Sequence, residues 1–354
     1  MMLIKPDAKK IAKIKLVGVG GGGSNAVGSM VSSEKVDGVD FIAVNTDAQA
    51  LMVNKAEAKI QIGEKFTKGL GAGGDPEVGK QAAEESREKI NEYLEGADLV
   101  FITCGEGGGT GTGAAPIVAE IARQNNALTI AVVTKPFQFE GSKRMMIANE
   151  GIAKLKEKVD ALITIPNQKV LEFSDKKVTL IDAFKEVDSV LTQGVKGLSE
   201  IITLPGLINV DFADVKTIMQ NSGTAIMGIG IGSGERRAIQ AVKHAMISPL
   251  LEFSIEGARG ILFNIVGGEN MTMQEVNEAA ETITKNADQS AQVIFGAAID
   301  PTMADEIKIT LIATRFSDLK TRQVSEALPE ERKEPQDKDL DELEIPAFLR
   351  KKVL

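Results

Sequence analysis

A chain of 354 residues has room for two domains with substantial cores. Its 41 basic and 50 acidic side chains leave a net charge of −9, which argues against a general nucleic-acid binder, and 43% apolar content with 4% aromatics suits an α/β protein with aliphatic cores. One cysteine, Cys104, excludes an internal disulfide, and with the single histidine, His244, it argues against a zinc site.

The start, residues 1–13, reads as a flexible arm without a secretory core, and no apolar run reaches the length of a membrane span, so a cytoplasmic location without direct membrane insertion is expected. Ile14 to Val19 reads as a strand that runs straight into Gly20-Gly21-Gly22-Gly23-Ser24-Asn25-Ala26, opening a helix through Met30. Gly18, Gly20 and Gly23 satisfy the G-x-G-x-x-G spacing of dinucleotide-binding proteins, a weak match taken alone. A second strand, Val39 to Val44, closes on Asn45-Thr46-Asp47. Polar side chains at that edge of a parallel strand serve either a ligand or simple turn chemistry and capping. Gly69 to Gly74 forms a third glycine cluster, and Pro76 is placed to start a long helix, Pro76 to Leu94.

The stretch Cys104-Gly105-Glu106-Gly107-Gly108-Gly109-Thr110-Gly111-Thr112-Gly113 follows the apolar run Leu99 to Ile102 and leads into a helix ending near Gln124. Five glycines and two hydroxyls within Gly107 to Gly113 exceed what a turn needs. A strand, a glycine loop and a helix N-terminus in succession turn backbone N–H groups toward a phosphate. The loop lacks the lysine of a P-loop. Three such loops in the first 115 residues imply a chain of phosphates cradled by main-chain amides, and a dinucleotide oxidoreductase has no obvious use for a glycine loop beyond the first.

Leu128 to Val133 is a further strand, and Pro136 to Arg144 then starts a helix. There Glu140 could accept from ribose hydroxyls and Arg144 could pair with phosphate or guanine oxygens, or the two could form an ordinary i, i+4 pair. Asp160 to Ile165 is a strand ending at Asn167. A helix of six turns follows, with Leu180, Phe184, Val187, Leu191, Val195, Leu198 and Ile202 on one face, suited to lie between two domains. Phe184 and Asp188 lie one turn apart, either as core and solvated surface or as a base-stacking ring and an acceptor for guanine N–H groups. Asn209, Asp211 and Asp214 stand at the start of another helix, where capping accounts well for one acid. From Ala225, four strands interleaved with two helices read as a smaller α/β domain without a phosphate loop. Residues 317–339 read as a charged, disordered linker. The end of the chain, with Ile345, Pro346, Phe348, Leu349 and Arg350, has the form of a short recognition peptide.

Together these segments resemble the tubulin and FtsZ superfamily, narrowed to FtsZ, the tubulin-like GTPase of prokaryotic cell division. The resemblance runs from Ile14 to Phe316 and includes the tail peptide. It implies a Rossmann-like parallel-sheet GTP-binding domain (14–179), a central helix (180–203), a C-terminal GTPase-activating domain (204–316) and a recognition peptide (340–354). It further implies GTP or GDP held by Gly21, Gly22, Gly23, Asn25, Asn45, Asp47, Ala72, Gly73, Gly74, Gly107, Gly108, Gly109, Thr110 and Gly111. Ribose and base contacts would come from Glu140, Arg144, Asn167, Phe184 and Asp188. Mg²⁺ would arrive on the nucleotide without a dedicated protein site. Asp211 and Asp214, with Asn209, would complete the hydrolytic site of a neighbouring subunit in a head-to-tail filament at the midcell division ring. The tail would bind membrane tethers and division regulators of the FtsA, SepF or ZipA kind.

Three residues depart from the family pattern: Cys104 for alanine, Asp75 for asparagine, and Glu106 for an apolar residue inside the phosphate loop. A carboxylate facing inward would repel phosphate, so Glu106 is expected to point toward solvent or a subunit interface.

Overall fold

Two parallel strands, β1 (Ile14–Val19) and β4 (Leu99–Gly105), pair in register from Ile14 opposite Leu99 to Val19 opposite Cys104. The computed structural model describes residues 12–33, 38–173, 179–203, 206–248 and 254–316. The linker and the tail peptide with Ile345, Pro346, Phe348, Leu349 and Arg350 lie outside the described residues, as does nearly all of the amino-terminal arm.

The remaining strands are β2 (Val39–Asn45), β3 (Ala58–Gln61), β5 (Leu128–Lys135), β6 (Ala161–Pro166), β7 (Gly223–Ser233), β8 (Ala258–Gly267), β9 (Gln292–Ile299) and β10 (Glu306–Phe316). They form one sheet in the order β3-β2-β1-β4-β5-β6-β7-β10-β8-β9. From β3 to β7 every pairing is parallel, whereas β10 lies antiparallel to both β7 and β8, and β9 runs parallel to β8. The architecture is therefore mixed α/β, a mostly parallel part followed by a smaller part built on β7 to β10. The two parts share the sheet through Ala161–Ile163 of β6 against Gly223–Ala225 of β7.

Twelve α-helices connect the described strands: α1 (Gly20–Ser33), α2 (Ala48–Val53), α3 (Glu64–Thr67), α4 (Pro76–Glu85), α5 (Arg87–Leu94), α6 (Thr110–Gln124), α7 (Ser142–Lys156), α8 (Asn167–Phe173), α9 (Leu180–Thr203), α10 (Phe212–Met219), α11 (Arg237–Ile247) and α12 (Met273–Thr284). The helix expected over Pro76 to Leu94 is two. Ser86 leaves helical geometry (φ −106°, ψ 16°) and its hydroxyl accepts the Gly63 N–H at 3.0 Å, a tertiary bond that apolar periodicity does not register.

Alternation along β1 assigns each face of the sheet. Ile14 and Leu16 join a core with Met30 of α1, with Val187, Leu191, Val195 and Leu198 of α9, and with Val215 and Ile218 of α10. Val17 and Val19 face the other way, packing with Ala82 of α4, Ile90 of α5 and Val118 of α6. The central helix α9 touches both parts of the sheet. A Cβ on Gly194 would come within 2.7 Å of the Met227 methyl, and one on Gly197 within 2.9 Å of Thr310. Its amino-terminal end departs from the stripe, since Leu180 and Ile181 are exposed and Phe184 turns to the cleft described next. A third core, with Phe263, Ile265 and Ile309, lies beneath α11 and α12.

Candidate nucleotide-binding site

The strand order reverses between β1 and β4, the position where open α/β sheets leave a crevice at their carboxyl edge. There β1 runs directly into Gly20 of α1, and β4 ends in Gly105. A Cβ on Gly20 would lie 2.6 Å from the Gly111 nitrogen, and one on Gly22 3.3 Å from the Gly105 nitrogen. Backbone thus meets backbone, with amides from two helix N-termini at one place. The N-cap of α6 is Gly109, which offers no side chain to its first-turn N–H groups, so these donors stay available to an anion.

The third glycine cluster closes the crevice. Gly71, Gly73 and Gly74 all have positive φ, a course that L-residues follow only with strain, and Ala72 packs against Gly109. Asp75, which stands where the family has asparagine, caps α4 by accepting the Glu77 N–H at 2.9 Å. Helices α4 and α6 then pack through glycine: a Cβ on Gly113 would run into the Pro76 carbonyl.

The result is a cleft of about 250 Å³ lined by Gly21, Gly22, Ala72, Gly74, Gly108, Gly109, Thr110 and Gly111 at one end. Glu140, Arg144, Asn167, Phe184 and Asp188 line the rest. Phe184 is 44% exposed and meets Phe137 in a T-shaped contact, with ring centroids 5.3 Å apart, so part of its ring is open to the cleft. Glu140 accepts the Phe137 N–H at 2.8 Å and pairs with Arg144 at 2.8 Å, which makes the i, i+4 pair real and places it within the cleft. Asn167 is buried and its Oδ1 has no hydrogen-bond partner, an open acceptor in the wall of the cleft. Burial raises the Asp188 carboxyl to about 6. A ligand that donates two N–H groups would stabilise its ionised form.

Other expected residues stand outside the lining. Gly23 is a packing residue, because a Cβ there would strike the Thr103 carbonyl. Gly18 is another, since its Cβ would strike Gly23. Two of the three glycines behind the dinucleotide spacing thus serve the close approach of α1 to the sheet. Asn25 is exposed on α1, Gly73 is exposed in its loop, and Gly107 (φ +92°) is buried beneath Arg144. Asn45 accepts the Asp47 N–H at 3.3 Å, and Asp47 caps α2 by accepting from Gln49 and Ala50. The tie from this segment to the phosphate loop is Thr46, whose hydroxyl lies 2.6 Å from that of Thr110. In the sequence a threonine between Asn45 and Asp47 carries no sign of that partner. Thr134, Pro136, Val187 and Leu191 also line the cleft. They read as strand end and core stripe, and only the tertiary fold brings them here.

Glu106 overturns its expectation. It is 3% exposed rather than pointing to solvent. The Cys104 thiol donates to its Oε1 at 3.4 Å and its Oε2 has no partner, while burial pushes the carboxyl up to about 7. The side chain fits because Gly151 of α7 has no Cβ to collide with it.

Asn209, Asp211 and Asp214 lie outside the cleft. Asn209 accepts the Gly206 N–H at 2.6 Å, and the adjoining Ile208 bridges to Ala297 of β9. Asp211 and Asp214 form a reciprocal capping box at the start of α10, so capping employs both acids and not one. A larger groove of about 460 Å³ between α4, α6 and α7 is lined by Thr112, Gly113 and Gly151 and has none of the loop amides of Gly108 to Gly111. The smaller cleft has the donor chemistry.

Comparison with known proteins now decides the lineage. A family model described as the GTPase domain of the Tubulin/FtsZ family matches residues 13–175, and one described as the C-terminal domain of the FtsZ family matches residues 223–317. An empty FtsZ dimer from M. jannaschii aligns with 48% sequence identity and a TM-score of 0.81, covering 86% of this chain and 88% of that one. The chain belongs to the FtsZ family. As a tubulin-like GTPase of that family it binds GTP and GDP and cleaves GTP. The FtsZ-type fold extends to more distant proteins of Haloferax volcanii. CetZ1, a GDP-bound monomer, aligns at 20% identity with a TM-score of 0.76, covering 87% of this chain and 96% of that one. CetZ2, a GTPγS-bound protofilament, aligns at 20% identity with a TM-score of 0.73, covering 86% and 94%.

Proposed function

We propose that this FtsZ-family GTPase assembles head to tail into filaments and that each active site is completed by two subunits. The amides of Gly21, Gly22, Gly108, Gly109, Thr110 and Gly111, with the Ala72–Gly74 loop, hold the phosphates. Glu140 and Arg144 take the ribose side, while Phe184 stacks on the base and Asp188 accepts from guanine N1–H and its amino group. Adenine, with an acceptor at N1, would face the Asp188 carboxylate unfavourably. Asn167 supplies its open Oδ1 to a donor on the nucleoside.

One observation carries the shared site. The cleft offers main-chain donors to phosphate, whereas Asn209 and Asp211, just before α10, and Asp214, in its first turn, are held outside it. These acids would act on the nucleotide of the adjoining subunit, orienting the attacking water as it approaches the γ-phosphate. Such a contact joins two different faces and propagates as a filament. The dimeric M. jannaschii FtsZ and the CetZ2 protofilament support this reading. Mg²⁺ bound on the triphosphate would offset its charge; among the described residues no cluster of three acids, histidines or cysteines forms a site of its own. In the cell the filament forms the division ring at the future septum, and the tail peptide binds the tethers that fix it to the membrane.

The test mixes two inactive proteins, one carrying Asp211→Ala and one damaged in the phosphate loop at Gly108. Phosphate release should return in the mixture, because some interfaces pair an intact cleft with intact acids. Failure to recover turnover at any ratio would refute the shared site.

A further inference from the structure

Glu106 stands in the wall between the nucleotide cleft and the larger groove. It lines the cleft, yet its carboxyl is turned toward Thr112 and Gly151, which line the groove. The groups in direct contact with it are uncharged, and the cations nearby stand on α7. The Cys104 thiol comes from β4, and the Thr134 carbonyl of β5 accepts the Glu106 N–H at 2.9 Å. The Thr112 hydroxyl comes from α6 and also accepts the Gly107 N–H at 2.9 Å. From α7, Gly151 faces it between Glu150 and Lys154, which line the groove, and Arg144 presses on Gly107 while paired with Glu140. Asp188, another acid, lines the same cleft. Among the described residues no cation pairs with Glu106.

A buried carboxylate without a counter-ion is strongly disfavoured, as an unpaired ion in a protein interior is. A carboxylic acid in the same place costs far less, and the thiol and hydroxyl beside it can each donate or accept. The loop that begins at Glu106 must also receive a polyanion. We propose that Glu106 is a positioning residue of the phosphate loop that holds a proton whenever nucleotide is bound, so that binding is coupled to retention or uptake of that proton. The inference rests on the reading of the cleft as the GTP site.

The direction follows from linkage. Without nucleotide the group titrates near 7 because of burial. Phosphate charge in the cleft raises it further, since a like charge nearby disfavours ionisation. Below that range Glu106 is protonated in both states and contributes no pH dependence. Above it, binding takes up a proton, and affinity falls by up to about tenfold per pH unit.

The experiment is titration calorimetry of the full chain with GDP, in buffers of different protonation heat, from about pH 6.5 to 8.5. Wild type is compared with Glu106→Gln, which keeps the shape and cannot titrate. Protonation of GDP itself is common to both proteins and cancels in the difference. At about pH 8 wild type should take up roughly 0.5–1 proton more than Glu106→Gln, whose affinity should be flatter with pH. Equal proton counts and parallel pH profiles would overturn the proposal. If Glu106→Gln does not fold, infrared spectra of the GDP-bound wild type at the same pH decide the matter. A carboxylic-acid carbonyl band that persists there supports a proton on Glu106, and its absence refutes it. If neither protein binds GDP at any pH, the reading of the cleft falls, and the coupling with it.

Discussion

Asp211 accepts the backbone N–H of Asp214 at 2.8 Å, and Asp214 accepts that of Asp211 at 3.4 Å. The pair is a complete helix cap, so a loss of activity on truncating either acid would mix two effects. Asparagine separates them, because it caps nearly as well as aspartate but carries no charge. Asp211→Asn should stay within about 0.5 kcal/mol of wild type in urea unfolding, whereas Asp211→Ala should lose about 1 kcal/mol. Both should lose most GTP turnover. If Asp211→Asn keeps full turnover, the acid serves the helix alone.

Asp188 should set an acid limit on nucleotide binding. Its carboxyl lies near 6 through burial, and only the ionised form can accept two guanine N–H groups. Nucleotide therefore lowers its pKa, and GTP affinity should weaken as pH falls below about 6. Asp188→Asn should bind GTP about tenfold more weakly, as loss of a hydrogen bond to a charged group requires, and should lack that acid limb. Affinity measured from pH 5 to 7 on both proteins checks the sign.

Asn167 offers a different signature. Its Oδ1 is buried without a partner, so removing it takes no hydrogen bond from that oxygen in the ligand-free protein. Asn167→Ala should leave ligand-free stability within about 1 kcal/mol of wild type and weaken GTP binding about fivefold to tenfold. Equal losses in stability and binding would give Asn167 a structural role instead.

Gly113 tests the packing beneath the loops. A Cβ there would meet the Pro76 carbonyl and stand 2.6 Å from the Lys80 nitrogen, on the first turns of α4. Gly113→Ala should destabilise the protein by about 1–3 kcal/mol in urea unfolding, in the range of overpacked cores, and should weaken GTP binding by moving the Ala72–Gly74 loop. An unchanged unfolding midpoint would mean that α4 yields without cost.

How much of this was legible in the sequence differs from residue to residue. The glycine loops that line the cleft were, because a glycine run directly after an apolar strand stands out in the sequence, and their convergence follows from the pairing of β1 with β4. Glu106 was not: in one dimension a carboxylate beside glycines looks exposed, and only the missing Cβ of Gly151, 45 positions later, gives it a buried seat. The same limit hid the break at Ser86, which depends on the N–H of Gly63, and the role of Thr46, which depends on Thr110. The join between the two parts of the sheet was equally hidden. Three residues of β6 pair with three of β7 across 62 positions of chain, from Ala161 to Gly223.

GTP turnover per subunit as a function of protein concentration tests the shared active site most directly. If the acids of one molecule serve the nucleotide of the next, the rate per subunit should be near zero in dilute solution and climb steeply as subunits begin to associate. A per-subunit rate that stays constant from the dilute monomer through the assembled state would contradict it.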